Sequence, residues 1–295
     1  MNSNSAEVKQ FNGKNVSFRR IGSGKRKILF FHGFPGSSSQ IEPFRDQAGA
    51  FDLDVVCVDR PGYHKTELTE GRQFDQATQA MKSLLDSFGW QSCEVMSVSG
   101  GTPFLFSFTQ AHPQYVSNVT VISGLGPIGN KEFQRFLSWK ARFTLNLLPK
   151  LPGSLFERIL PKYNSKPDSK PAVSAEPKFN IIRYLLPGSP ADAQVMLDLN
   201  TQEVLGRALL EAFMQKGAGP KRDAAEYLKP WSLDLKGYTG PIKIWHGDED
   251  QILPLKMAEQ MAKLIPRAQL NVLNNEGHYS LIIQRMESIL KQKTQ

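Results

Sequence analysis

The sequence predicts an α/β protein: a doubly wound, mostly parallel sheet with an inserted, mainly helical cap. Three observations carry this reading. Short apolar, β-rich runs recur along the chain, helical patterns lie between several of them, and one long proline-rich stretch interrupts the alternation. Near-continuous hydrophobicity is the mark of a strand covered on both faces, and strands alternating with helices build βαβ units. With 295 residues, 40% of them hydrophobic, the chain can bury the core of one large domain carrying an insertion.

Taken in order, residues 16–21 alternate and predict an antiparallel edge hairpin with the next strand of the chain. Runs 28–31, 55–58, 95–98, 119–122, 242–245 and 270–273 are each of strand length. Helical spacing marks 74–88, 103–111 and 255–265, and an amphipathic helix closes the chain. Between Gly126 and Pro241 the alternation stops. Spacing there predicts one helix over 132–148, whose Phe133, Phe136, Leu137, Phe143 and Leu147 face the main domain or a substrate channel, and a loop over 161–177. The resulting boundaries are 1–126 with 231–295 for the core domain and 127–230 for the cap.

Thirty-six basic against 28 acidic residues give a net charge of +8. Much of it is local: residues 131–170 hold nine Lys/Arg against Glu132, Glu157 and Asp168. A solvated helix face is the ordinary use of such a run, and peripheral contact of a basic cap with anionic lipid is the other. No nucleic-acid-binding signature accompanies the charge, so no nucleic-acid partner is expected. Cys57 and Cys93 lie inside apolar runs and predict buried thiols. No cluster of metal ligands and no phosphate-cradling or dinucleotide motif occurs, so neither metal nor cofactor is expected. The polar start and the lack of any apolar run of about 18 residues predict a cytoplasmic protein.

Chemistry concentrates just after the apolar runs. Val95-Met96-Ser97-Val98-Ser99-Gly100-Gly101-Thr102-Pro103 reads as a strand, a turn of small residues and a helix. A serine on so tight a turn projects its hydroxyl from the sheet edge only when its neighbours two positions either side are small. Ser99 is the candidate nucleophile. Ser97 is its rival but still lies within the strand, and an ordinary strand-to-helix turn would carry small residues too. Gly100 follows Ser99 and offers a backbone N–H to an oxyanion.

This turn resembles the nucleophile elbow of the α/β-hydrolase-fold superfamily, with Ser97 where the first glycine is usual. Phe30-Phe31-His32-Gly33-Phe34-Pro35-Gly36-Ser37 is similar to that family's His-Gly oxyanion loop, which implies the Phe34 N–H as second donor and His32 as the residue orienting the loop. Trp245-His246-Gly247-Asp248-Glu249-Asp250-Gln251-Ile252-Leu253-Pro254 resembles the turn that holds the triad acid. The proline spacing places Asp250 in that role, with Asp248 and Glu249 as local competitors. Asn275-Glu276-Gly277-His278-Tyr279 falls where the family places its general base, His278. Asp59-Arg60-Pro61-Gly62-Tyr63 resembles a further turn, but continues His64-Lys65-Thr66 where the family has glycine and serine, a departure expected to reshape one rim of the site.

The order Ser99, Asp250, His278 is the order expected of this fold. The resemblance spans roughly residues 16–126 and 231–292 and implies a serine hydrolase, carboxylesterase- or lipase-like, cleaving an ester-like bond, while the many aromatics of the cap favour a small apolar substrate. A serine nucleophile disfavours the dehalogenase and epoxide-hydrolase branches. The alternatives are a non-ester enzyme of the same fold, a peptidase or a hydrolase of carbon–carbon bonds in diketone acids, and a ligand-binding member without turnover.

Overall fold

The computed structural model describes residues 5–159 and 188–292. Eight strands form one sheet: β1 (Glu7–Phe11), β2 (Lys14–Gly22), β3 (Arg26–Phe31), β4 (Leu53–Val58), β5 (Cys93–Val98), β6 (Val116–Ile122), β7 (Ile242–Gly247) and β8 (Ala268–Leu273). Their order is β1-β2-β4-β3-β5-β6-β7-β8. The six from β3 to β8 run parallel, while β1 and β2 are antiparallel to their neighbours. Every residue of β4 and of β7 is buried, as continuous apolar runs require in a sheet covered on both faces.

The hairpin departs from the expectation. Residues 16–21 pair with the preceding β1 and with β4, not with the next strand, β3. β1 carries no sequence signal because it is an edge strand with no buried residue.

Alternation along the strands divides the interior in two. Leu29, Phe31, Val56, Val95, Val119 and Val121 face one cluster, which packs under α1 (Gln73–Ser87), α2 (Thr102–Ala111) and α9 (Leu255–Leu264). Ile28, Phe30, Val55, Cys57, Met96 and Val98 face the other, closed by a 3-10 turn (Ser38–Phe44) and α10 (His278–Lys291). Both cysteines are free, buried thiols. Burial raises the Cys93 pKa to about 12, so it is not a nucleophile at neutral pH.

Between β6 and β7 the described chain is helical: α3 (Lys131–Gln134), α4 (Trp139–Leu147), α5 (Gly153–Ile159), α6 (Pro190–Val195), α7 (Leu199–Phe213) and α8 (Ala218–Tyr227). The single helix expected over 132–148 is two, since Ser138 is extended (φ −60°, ψ 156°) and its hydroxyl accepts from the Ala141 N–H to start α4. The break divides the apolar residues. Phe133 and Leu137 are buried with Phe136 against them, whereas Phe143 and Leu147 are exposed. The loop expected over 161–177 lies outside the described residues. No helix among the described residues is long and apolar enough to cross a membrane.

Candidate active site

Parallel strands bring the ends of β3, β5, β7 and β8 to one edge of the sheet, where open α/β sheets bind ligands. Ser99 follows β5 with φ +52°, in the left-handed region that costs a non-glycine residue about 1–2 kcal/mol. The turn is tight enough to exclude larger neighbours: a Cβ on Gly101 would sit 2.4 Å from the Phe31 carbonyl oxygen. Ser99 is part-exposed at the head of the sheet. Ser97, its rival, is fully buried and its hydroxyl meets that of Thr102 at 3.3 Å.

The loop after β3 lies directly over this turn. Ser99 Cβ is 3.4 Å from where a Gly33 Cβ would be, and a Gly100 Cβ would stand 2.5 Å from Phe34 Cβ and 3.3 Å from the Phe34 nitrogen. Peptide planarity then fixes where two N–H groups point, because carbonyl and N–H of one trans peptide face opposite ways. The Ser99 carbonyl, on the plane of the Gly100 N–H, accepts from the Leu125 N–H at 3.0 Å and the Thr102 hydroxyl at 2.8 Å. The Gly33 carbonyl, on the plane of the Phe34 N–H, accepts from Arg60 Nη2 at 3.1 Å and lies 3.0 Å from His32 Nδ1. His32 is buried, and desolvation, with the Arg60 charge adding to it, pushes its pKa down to about 3. It is a neutral ring that holds the loop, not an acid or base at neutral pH.

Asp250 and His278 meet across the edge. His278 Nδ1 donates to Asp250 Oδ2 at 2.8 Å, while Asp250 Oδ1 accepts from the Ile252 and Leu253 N–H groups at 2.9 and 2.8 Å. Burial favours protonated Asp250, but the positive His278 ring and its hydrogen bond outweigh this and hold the pKa below the usual range. For His278, burial disfavours the charged ring, yet the Asp250 charge and hydrogen bond, with a further contribution from Asp192, carry its pKa above the ordinary value. Asp248 is exposed and accepts from the Asn275 N–H, so it does not meet the histidine. The Glu249 N–H donates to the Glu276 carbonyl in the same turn. Among the described residues the Ser99 hydroxyl makes no hydrogen bond to His278.

The helical insertion supplies residues that sequence motifs do not announce. Asp192 of α6 accepts from the N–H groups of His278, Tyr279 and Ser280 at 3.0, 2.7 and 2.9 Å, capping the helix whose first residue is His278. Asp223 of α8 accepts from Arg60 Nε at 2.8 Å and the Tyr63 hydroxyl at 2.6 Å, and the Tyr227 hydroxyl donates to the Gly100 carbonyl at 2.7 Å. Glu211 of α7 accepts from Arg19 through both oxygens, at 2.6 and 2.9 Å, and from the hydroxyls of Ser37 and Ser39 at 2.6 and 2.7 Å. His64 and Thr66 do not line a rim. Both are buried, His64 against Asp59 at 3.1 Å and Ser17 at 2.9 Å, and Thr66 accepting from the Ser17 N–H at 2.9 Å. His246 stands on β7 with Nε2 at 2.7 Å from the Leu253 carbonyl and 3.4 Å from Asp250 Oδ2.

Glu211 ties the insertion to the loop after β3, and removing it would take from buried Arg19 the carboxylate that holds it through two hydrogen bonds. Glu211→Ala is expected to cost about 3–5 kcal/mol in unfolding free energy by chemical denaturation. A loss below about 1 kcal/mol would show that the pair does not hold the two parts together.

The sequence profile of the alpha/beta hydrolase fold family matches residues 27–284, and the chain belongs to that family. A curated relative is the 2-hydroxy-6-oxononadienedioate/2-hydroxy-6-oxononatrienedioate hydrolase of Paraburkholderia phymatum, 22% identical over 276 residues, covering 90% of this chain and 85% of the relative. Among solved structures, an alpha/beta hydrolase fold protein from Nakamurella multipartita superposes with a TM-score of 0.65 at 20% identity, covering 97% of this chain and 98% of that one. A meta-cleavage product hydrolase, CumD, does so with a TM-score of 0.65 at 16% identity, covering 98% and 97%.

Proposed function

We propose that the chain is a hydrolase in which Ser99 attacks a carbonyl carbon, His278 is the general base, Asp250 holds its tautomer, and the Phe34 and Gly100 N–H groups stabilise the oxyanion. The observation that carries this is the 2.8 Å Asp250–His278 hydrogen bond at the same sheet edge as a left-handed Ser99. Nδ1–H bound to a carboxylate leaves Nε2 free to take the serine proton, and such contacts tighten when substrate binds.

The proposed substrate is a small keto acid whose carbon–carbon bond beside the ketone is cleaved. Support comes from the relative that spans most of the chain, whose name describes a ketone carrying two carboxylates. Ser99 adds to that ketone as His278 takes its proton. Collapse of the oxyanion breaks the carbon–carbon bond, and His278 returns the proton to the leaving carbon. Water then hydrolyses the Ser99 ester. An ester substrate needs the same groups with oxygen as the leaving atom, and it rests on the triad alone.

The test compares turnover of 2-hydroxy-6-oxononadienedioate with that of p-nitrophenyl esters of graded acyl length. A higher kcat/KM on the keto acid supports the proposal, and turnover of esters alone transfers it to an esterase. No turnover of either, with no labelling by a fluorophosphonate, would sink the triad reading itself.

Proton uptake by His278 supplies a pH test. The groups facing it are Asp250, Asp192, His246 and Tyr279. Its raised pKa means that proton binding stabilises the folded chain below the ordinary histidine value, and that this stabilisation fades as pH rises through the folded value. Because the base must be neutral, the acid limb of kcat/KM is expected above pH ~6.5. Asp192→Asn removes a charge while keeping an acceptor for the helix N–H groups, so the limb should move to lower pH. An unmoved limb with raised KM would limit Asp192 to a structural role.

A further inference from the structure

α4 carries three large apolar side chains on its outer face. Trp139, Phe143 and Leu147 are 69%, 60% and 38% exposed, while Leu145 and Leu148 on the inner side are buried. The spacing i, i+4, i+8 at 100° per residue places the three on one stripe within an arc of about 80°. Lys140 projects on one flank of that stripe and Arg142 on the other, both exposed. Lys131, Arg135, Lys150 and Arg158, also exposed, add to the positive charge of the sequence on either side of α4. None of these six cations forms an ion pair among the described residues.

Packing does not account for this stripe, because the core of the insertion is filled by the opposite face of the same helix. The order of side chains, apolar along the middle and cationic on both sides, is that of a helix lying in the headgroup plane with its apolar face about 5–10 Å deep. We propose that α4 docks this chain onto anionic lipid, Trp139, Phe143 and Leu147 entering the interface and Lys140 and Arg142 pairing with headgroups.

Charge decides among occupants. A second copy would bring the same cations against the same face. Residues 160–187 of the chain hold five Lys/Arg against two Asp/Glu, again of the same sign. Only an anionic partner complements the flanks, and the net charge of +8 steers the whole chain towards such a surface. The proposal is independent of the triad, since α4 contributes none of Ser99, Asp250 and His278.

The test is sedimentation of the full-length chain with phosphatidylserine-containing vesicles and with phosphatidylcholine alone, at low and high ionic strength. Co-sedimentation is expected with the anionic vesicles and should weaken with salt. Trp139→Ser with Phe143→Ser, and separately Lys140→Glu with Arg142→Glu, should each lower partitioning by roughly tenfold or more. All four side chains are exposed, so unchanged circular dichroism and unchanged activity on a soluble substrate are expected in both variants. Lipid should shift tryptophan emission to the blue in the wild type and not in Trp139→Phe. The proposal is overturned by absent binding at low ionic strength, by equal binding to both vesicle types, or by full binding of either double variant. A dimer formed without lipid and dissolved by the Trp139→Ser, Phe143→Ser pair would assign the face to a second copy instead.

Discussion

Ser99→Ala is expected to fold as the wild type does, to lose fluorophosphonate labelling, and to lose turnover by about a factor of a million, the loss measured for nucleophile removal in another serine hydrolase. Folding should survive because alanine keeps the Cβ that packs beside Gly33, and because the left-handed turn is held by the Leu125 and Thr102 hydrogen bonds to the Ser99 carbonyl. Chemistry should not survive, since the oxyanion donors alone retain only a small part of the acceleration. Ser97→Ala is the control. Its hydroxyl is buried against Thr102 and presents nothing to a substrate, so kcat/KM should stay within about tenfold. Labelling that persists in Ser99→Ala and vanishes in Ser97→Ala would reverse the assignment.

Most of the fold was legible because each buried strand is written locally. Continuous apolar runs such as 55–58 and 242–245 betray a sheet covered on both faces, and the structure lengthens each of these two by two residues without moving it. The candidate site's motifs were legible for the same reason: Ser99 and Asp250 lie in short turns after β5 and β7, and His278 opens the helix that follows β8. What stayed hidden falls into two kinds. β1 is mostly polar and has no buried residue, so nothing in the sequence marks it as a strand. Ser138 did offer a local signal, a helix N-cap inside a run of helical spacing, and the apolar periodicity on both sides masked it.

The second kind is long-range pairing. Glu211 meets Arg19 across 192 positions, Asp223 meets Arg60 across 163, and Asp192 meets the His278 N–H across 86. No periodicity or spacing encodes such partners. Each is an acid in a helix of the insertion that would pass for a surface residue until burial reveals it. These pairings give the insertion a part in the site: Glu211 and Asp223 brace the loop bearing Phe34, and Asp192 caps the helix bearing His278. None of the motifs read from the sequence falls in the insertion, yet its acids hold the segments on which two of the expected site residues stand.

Asp250→Asn should separate the role of the acid from that of its neighbours, and the direction follows from the hydrogen bonds. Two backbone N–H groups, from Ile252 and Leu253, require an acceptor at Oδ1. An asparagine there keeps its oxygen on that side and turns its NH2 towards His278 Nδ1. A donor facing Nδ1 forces the ring proton onto Nε2, the nitrogen that must accept from Ser99, so the base is present but in the wrong tautomer. The expected loss in kcat is about ten-thousandfold, by analogy with the same change in a serine-protease triad, with denaturation midpoints shifted far less. Nitrogen-15 shifts of the labelled ring should report the proton moving from Nδ1 to Nε2. Asp248→Asn, which touches only the Asn275 N–H at the surface, should leave turnover within about threefold. If Asp250→Asn kept turnover within tenfold while Asp248→Asn abolished it, the acid would have been assigned to the wrong residue and the 2.8 Å contact with His278 would be structural alone.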